Sequence, residues 1–343
     1  MNHFINKRKK ALVLVCSFLI LLLILFLASK YKQSNVPVLA VIKKDTSLKK
    51  PEIDTLTYLN KLKLLANLDK AGKWPPVTVF PLKGALLPYN RIVAYYGNFY
   101  NKYMGILGEY PSSIMLQKLN EQVKQWADAD SLTPVIPAIH YVAVTAQSSA
   151  GDGGYYRLRM PEKEIQKAIN MADSINGITF LDVQVGLSTL QNELPRLEKY
   201  FMQSTVHLGI DPEFSMKSGK RPGSSIGTFD AEDINYASAW LAKMVKDHQL
   251  SPKILVVHRF TEGMLTNYKK IVTRPEVQIV INMDGFGSPI LKKSTYQSFI
   301  YKQPIQFTGF KVFYKIDAKT GRRIMQPHEL LELTPKPIYI QYQ

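Results

Sequence analysis

Residues 206–214 read VHLGIDPEF. An apolar run of strand length ends abruptly in Asp211 and Glu213, on either side of Pro212. Carboxylates are costly to bury without partners, so a strand that ends in two of them ends where charge is wanted. The same pattern recurs along the chain. The runs RIVAYYG (91–97), VIPAIHYVAV (135–144), ITFLDVQVG (178–186), ILVVHRF (254–260), VQIVINMDGFG (277–287), PIQFTGFKVFY (304–314) and PIYIQYQ (337–343) share the apolar body. Most of them carry polar residues near the carboxyl end. Helical patterns at 112–127, 161–175, 189–203, 230–248 and 289–302 separate most of the runs, with Pro161 and Pro327 where a first helical turn accepts proline.

Eight strands alternating with crossovers predict a parallel sheet covered by helices, and eight is the number that closes a (β/α)8, TIM-like barrel. An open doubly wound sheet is the second reading, and no glycine fingerprint for a dinucleotide supports it. No helix follows the eighth strand. The pattern at 55–70, with Leu56, Leu59, Leu62 and Leu65 at spacing three, predicts an amphipathic helix that would cover that gap.

The chain has 343 residues and a net charge of +17. Its first fifty residues hold ten Lys/Arg and one Asp, which is +9 of that total. The rest is only mildly basic. It shows no basic helix and no interleaving of aromatic and basic residues, so nucleic acid is not an expected partner. The basic segment suits an anionic membrane surface or cell-wall polymer. Lys7, Arg8, Lys9 and Lys10 precede an unbroken apolar run from Ala11 to Ala28. Eighteen residues at helical rise cover about 27 Å, close to the hydrocarbon thickness. Residues 1–28 are therefore expected to be a basic leader and an uncleaved transmembrane signal anchor. A tether would follow at 29–54 and the barrel domain at 55–343, on the extracytoplasmic side. With Cys16 as the single cysteine, no intrachain disulfide forms.

Side chains on a strand alternate between faces, and in a barrel the chemistry gathers at the carboxyl ends of the strands. Those ends supply His140, Asp182 with Gln184, Asp211 with Glu213, His258, Asn282 with Asp284, Gln306 with Thr308, and Gln341 with Gln343. Tyr96 lies near the end of the first strand. A packed core has no need of polar groups at alternate positions on so many strands. A polar pocket of substrate size does.

The inventory fits glycoside hydrolysis, which needs one protonated carboxyl and one ionised partner. The expected roles are Glu213 as general acid, Asp211 as the neighbour that raises its pKa, and Asp284 or Asp182 as base or substrate orienter. His258, His140, Gln184, Asn282, Gln306, Gln341 and Tyr96 are expected to bind substrate. This reading needs no metal or other cofactor, and its partner is a carbohydrate or other polar polymer. Two rival readings remain. In a metal-dependent phosphodiesterase, Asp182, Asp211, Glu213, His258 and Asp284 would share a divalent ion. The other rival is a non-catalytic glycan-binding envelope protein.

The stretches FLDVQVG, HLGIDPEFSM, IGTFDAEDIN, VVHRFTEGMLTNY, INMDGFG, QFTGFKVFY and YIQYQ resemble a family of uncharacterised bacterial envelope-anchored proteins with one (β/α)8 barrel. The resemblance implies the fold and the envelope location and no established reaction. GIDPE is also similar to the end of the fourth-strand motif of chitinase-like glycoside hydrolases, where an Asp-x-Glu pair supplies the proton donor. Asp211 and Glu213 match that pair. His207 and Leu208 stand where that family has further acids, and no tryptophan ends the eighth strand.

Overall fold

The eight apolar runs form eight parallel strands in a computed structural model, which describes residues 53–343. They are β1 (Arg91–Gly97), β2 (Val135–Ala146), β3 (Ile178–Val183), β4 (Val206–Ile210), β5 (Lys253–Arg259), β6 (Val277–Met283), β7 (Phe307–Val312) and β8 (Tyr339–Tyr342). Each pairs with the next in sequence, and β1 pairs with both β2 and β8, so the sheet closes on itself. The open-sheet reading is excluded.

Helices Ser112–Ala129, Glu162–Asp173 and Ala231–Asp247 lie within a residue or two of their predicted bounds. Pro161 sits one position outside its expected place, as the N-cap of its helix, while Pro327 does open its own. The stretch 189–203 is a broken helix. Leu190–Glu193 and Glu198–Phe201 flank a 3-10 turn at Leu194–Leu197. Pro195 in that turn has no N–H to continue a regular ladder. Residues 151–154, GDGG, belong to a connector in which a 3-10 turn at Asp152–Gly154 leads into a short strand, Arg157–Arg159, antiparallel to the end of β2.

Residues facing outward from the strands, among them Val93, Ile139, Leu181, Leu208, Val257, Ile281 and Phe310, pack under the helices. A second apolar cluster fills the amino-terminal part of the barrel interior. Ile92, Ala138, Ile178, Phe180, Val256, Val280 and Phe307 meet Tyr58 and Leu62 there. These last two belong to helix Thr55–Ala66, whose N-cap is Asp54 and whose end is Asn67 in the left-handed conformation. The helix therefore plugs the floor of the barrel and does not cover the gap after β8. Its outer face keeps Leu56, Leu59 and Leu64 exposed. Over β8 lies the helix that follows β1, with the Trp126 indole donating to the Tyr342 hydroxyl at 2.8 Å.

No helix among the described residues is long and apolar enough to cross a membrane. The expected anchor, residues 11–28, and nearly all of the tether lie outside the described residues.

Candidate active site

Above the apolar floor the barrel interior turns polar. Strand register explains which side chains meet. Tyr96 stands beside His140, Asp182 beside Gly209, His258 beside Asn282 and Lys311 beside Gln341. Inward positions on neighbouring strands thus fall at one height.

Asp182 is the centre of this layer and is fully buried. The Tyr96 hydroxyl donates to its Oδ2 at 3.0 Å, and its Oδ1 lies 3.3 Å from His140 Nε2 and 3.4 Å from His258 Nε2. His258 Nδ1 donates to Asp284 Oδ2 at 2.8 Å, and Lys311 Nζ binds Asp284 Oδ1 at 2.9 Å. The same ammonium lies 3.9 Å from the centroid of the Tyr96 ring, a cation–π contact. On the other flank, His140 Nδ1 and the Tyr339 hydroxyl share a hydrogen bond of 2.5 Å, and Gln341 donates to that hydroxyl at 2.9 Å. Asn282 reaches Gln341 at 3.4 Å.

The rim above this layer is a cleft of about 540 Å³. Gln184, Asp211, Glu213, Asp284, Lys311, Tyr96 and Gln343 supply its polar lining, and Phe214, Phe260, Phe286 and Phe313 supply aromatic walls. Gln184 bridges the two levels, donating to the Tyr96 hydroxyl and to Asp211 Oδ2, each at 3.3 Å.

Burial opposes the ionised form of every carboxyl here, and local charges decide which ones resist. At Asp182 the two histidines outweigh burial and hold the carboxyl well below its ordinary range. At Asp284 Lys311 and His258 do the same. Burial alone would strip the proton from His258, but Asp182 and Asp284 hold it, up to about 10. His140 has only Asp182 against its burial, with His258 and Lys311 opposing its charge, and falls to about 4. The rim acids go the other way. Burial, with Glu213, Asp182 and Asp284 adding to it against His258, lifts Asp211 to about 8. Burial and the charge of Asp284 lift Glu213 to about 7, against Lys311 and His258.

Three expectations are corrected. Asp211 and Glu213 do not share a strand face. β4 stops at Ile210, Asp211 caps a 3-10 turn at Pro212–Phe214, and its Oδ1 accepts from the Glu213 N–H at 3.0 Å. Pro212 has no N–H to extend the strand. Both acids nevertheless line the cleft. Secondly, the charge that raises Glu213 comes from Asp284, while Glu213 in turn raises Asp211. Thirdly, Gln306 lies at the amino end of β7, where its Oε1 accepts from the Ile279 N–H at 2.7 Å. Thr308, on the same side of the strand, bonds Tyr296 at 2.8 Å. The inward parity of β7 is Phe307, Gly309, Lys311.

Of the remaining expected residues, Gln184, Asp284 and Tyr96 line the cleft, while His140, His258, Asn282 and Gln341 are wholly buried beneath it with Asp182. Lys311 and Tyr339 were not anticipated. Counting in twos from Phe307 along QFTGFKVFY reaches Lys311; Tyr339 reads as one more barrel aromatic until its hydroxyl is placed. Among the described residues, the one group of three or more His, Cys, Asp or Glu whose ligand atoms lie close enough to share a cation is His140, Asp182 and His258. Asp211, Glu213 and Asp284 do not join it.

No family model matches the chain, and no curated protein does. Among solved structures, the chain is similar to a GH5-4 broad specificity endoglucanase from Clostridium longisporum. The likeness has a TM-score of 0.36 and 8% identity, covering 65% of this chain and 75% of that one.

Proposed function

We propose that the protein is a glycoside hydrolase-like barrel that acts on a cell-envelope or extracellular glycan by carboxylate acid/base chemistry. One observation carries this reading. A single cleft at the carboxyl end of the strands holds carboxyls in opposite states near neutral pH: Glu213 and Asp211 lifted to about 7 and 8, and Asp284 held ionised by Lys311 and His258. Glycosidic cleavage asks for that division of labour, one group to give a proton to the leaving oxygen and another to activate water or attack carbon.

In this reading Glu213 is the general acid. It is the less buried of the two protonated acids and stands at the cleft wall. Asp284 is the base or nucleophile. Lys311 and His258 fix its orientation and keep it charged. Asp211 and Gln184 present hydrogen-bonding groups to sugar hydroxyls, and the phenylalanine walls offer faces on which a pyranose ring can stack. Asp182 works one step removed, by orienting Tyr96. The membrane anchor at residues 11–28 would hold the barrel on the extracytoplasmic side, beside an envelope polymer.

The test is a screen of the full-length protein, in detergent, against cell-wall and extracellular glycans, followed by Glu213→Gln. The amide keeps size and hydrogen bonding and removes the proton. Turnover is expected to fall about a hundredfold or more, the scale of lost general acid catalysis, with the thermal transition unmoved. Turnover that survives Glu213→Gln within a few-fold would take the acid role from Glu213.

A further inference from the structure

Four buried polar atoms of the layer beneath the cleft make no well-formed hydrogen bond, namely Asn282 Oδ1 and the converging trio His140 Nε2, Asp182 Oδ1 and His258 Nε2. All three residues are fully buried, and the three atoms lie within 4.8 Å of one another. Unsatisfied polar atoms are rare in a protein interior, and three that converge on one point call for a common partner.

The distances bear on what that partner is. A charge-assisted N–H···O bond closes to about 2.7–2.9 Å. The two His–Asp separations, 3.3 and 3.4 Å, are long for such a pair. They suit the edge of a coordination tetrahedron. With metal–ligand bonds of about 2.0–2.1 Å, neighbouring ligand atoms stand about 3.3 Å apart.

The other polar atom of each residue is already held. Tyr96 donates to Asp182 Oδ2, Asp284 accepts from His258 Nδ1, and Tyr339 shares a hydrogen bond with His140 Nδ1. Such outer partners fix ring orientation and leave the remaining atom free to ligate, as in carboxylate–histidine–zinc sets. Space is kept as well. A Cβ on Gly209 would sit 2.3 Å from Asp182 Oδ1 and 2.4 Å from His140 Nε2. Only glycine leaves those two atoms room at this position.

We propose that His140, Asp182 and His258 form a buried site for a divalent transition metal of the zinc type. Two imidazoles and one carboxylate suit zinc, cobalt or nickel and disfavour magnesium and calcium, which prefer all-oxygen sets. Such a metal would take the place of a proton on His258 and tie β2, β3 and β5 together under the cleft. The proposal is independent of the glycosidase reading, since it concerns binding and not turnover.

The experiment uses full-length, tag-free protein in detergent, stripped with a chelator and titrated with Zn2+ and with Co2+. One equivalent should bind. Cobalt should give the intense visible absorption of a tetrahedral ion, and the thermal transition should rise with zinc and not with Mg2+. His140→Gln and His258→Gln should each weaken binding at least tenfold, and Gly209→Ala should do so without removing a ligand. Glu213→Gln should bind zinc like the parent chain. The proposal fails if the unmodified, folded protein takes up neither ion stoichiometrically, whatever the variants do. It fails equally if cobalt binds with the weak spectrum of a six-coordinate surface site. Loss of metal binding would leave glycan turnover to be judged on its own measurement, and the reverse holds too.

Discussion

The barrel interior is built in two halves on the same eight strands. In the amino-terminal half, Ile92, Ala138, Ile178, Val256, Val280 and Phe307 close over Tyr58 and Leu62 of the plug helix. In the carboxyl-terminal half, Tyr96, His140, Asp182, His258, Asp284, Lys311 and Gln341 occupy the equivalent inward positions. The strands do not change; only the residue type at alternate positions does. The lower half gains stability from area removed from water, a term that falls gradually as atoms are lost. In the upper half charges are neutralised partner by partner, so losing one partner leaves another buried and unpaired. The first half sets the shape of the barrel and the second sets its chemistry. Their responses to mutation should therefore differ in kind.

Both halves depend on closure by β8, so removing it should have the largest effect. Deleting residues 339–343 exposes the edges of β1 and β7 and takes Tyr339 and Gln341 out of the polar layer. The truncated chain should yield no soluble protein with a cooperative thermal transition. A truncated chain that melts like the parent would show that neither half needs a closed barrel.

Lys311→Met should come next. It leaves Asp284 buried with His258 as its one remaining ion-pair contact. Breaking a buried ion pair from one side costs about 3–5 kcal/mol. The double change Lys311→Met with Asp284→Leu should cost clearly less than Lys311→Met alone, as read by denaturant unfolding. Additive losses would mean that the pair is not the unit of stability in the upper half.

In the lower half, Leu62→Ala should cost about 2–3 kcal/mol, since Leu62 is nearly buried in the plug contact and a cavity would remain. Turnover per folded molecule should be unchanged, because no atom of the cleft moves. A change in catalytic rate at equal folded fraction would show that the two halves are coupled through the strands.

How far the chain could be read follows the same division. The lower half and the outer face were legible because an apolar strand declares itself by composition, and all eight strands lie within a few residues of their expected places. The membership of the polar layer was mostly legible too, since counting in twos places His140, Asp182, His258, Asn282, Asp284 and Gln341 inward. The level of each residue was not. Periodicity tells which face a side chain takes but not how far along the barrel axis it lies. His258 and Asp182 therefore read as substrate-facing although they sit below the cleft. Gln306 was misplaced because β7 begins only at Phe307 and turns Phe307, Gly309 and Lys311 inward, leaving Gln306 and Thr308 on the other face. Arg259 faces the helices, as its parity requires, and its guanidinium meets the carbonyls of Thr261, Glu262, Leu265 and Phe299. Backbone acceptors leave no trace in side-chain patterns.

The smallest effect, and the sharpest test of the upper half, concerns which neighbour sets the Glu213 proton. By sequence the neighbour is Asp211. By structure it is Asp284, because Asp211 keeps its own proton up to about 8 and carries little charge while Glu213 titrates near 7. The carboxyl carbon of Glu213, followed by carbon-13 NMR across pH, separates the two. Asp284→Asn removes the negative charge that opposes ionisation and leaves Lys311 and His258 to favour it, so the Glu213 pKa should fall. Asp211→Asn should leave it close to the parent value. The sign carries into stability. A carboxyl whose pKa is raised on folding stabilises fully below the unfolded value and loses that contribution as pH rises through the folded one. Asp211 and Glu213 should therefore contribute a decline in stability from about pH 4 to 8, set against the opposite contribution of His140 and His207 below about pH 6.5, and the double variant Asp211→Asn, Glu213→Gln should lack that decline. If Asp211→Asn lowers the Glu213 pKa as much as Asp284→Asn does, the two acids at the end of VHLGIDPEF form the working pair, and Asp284 serves only to hold Lys311.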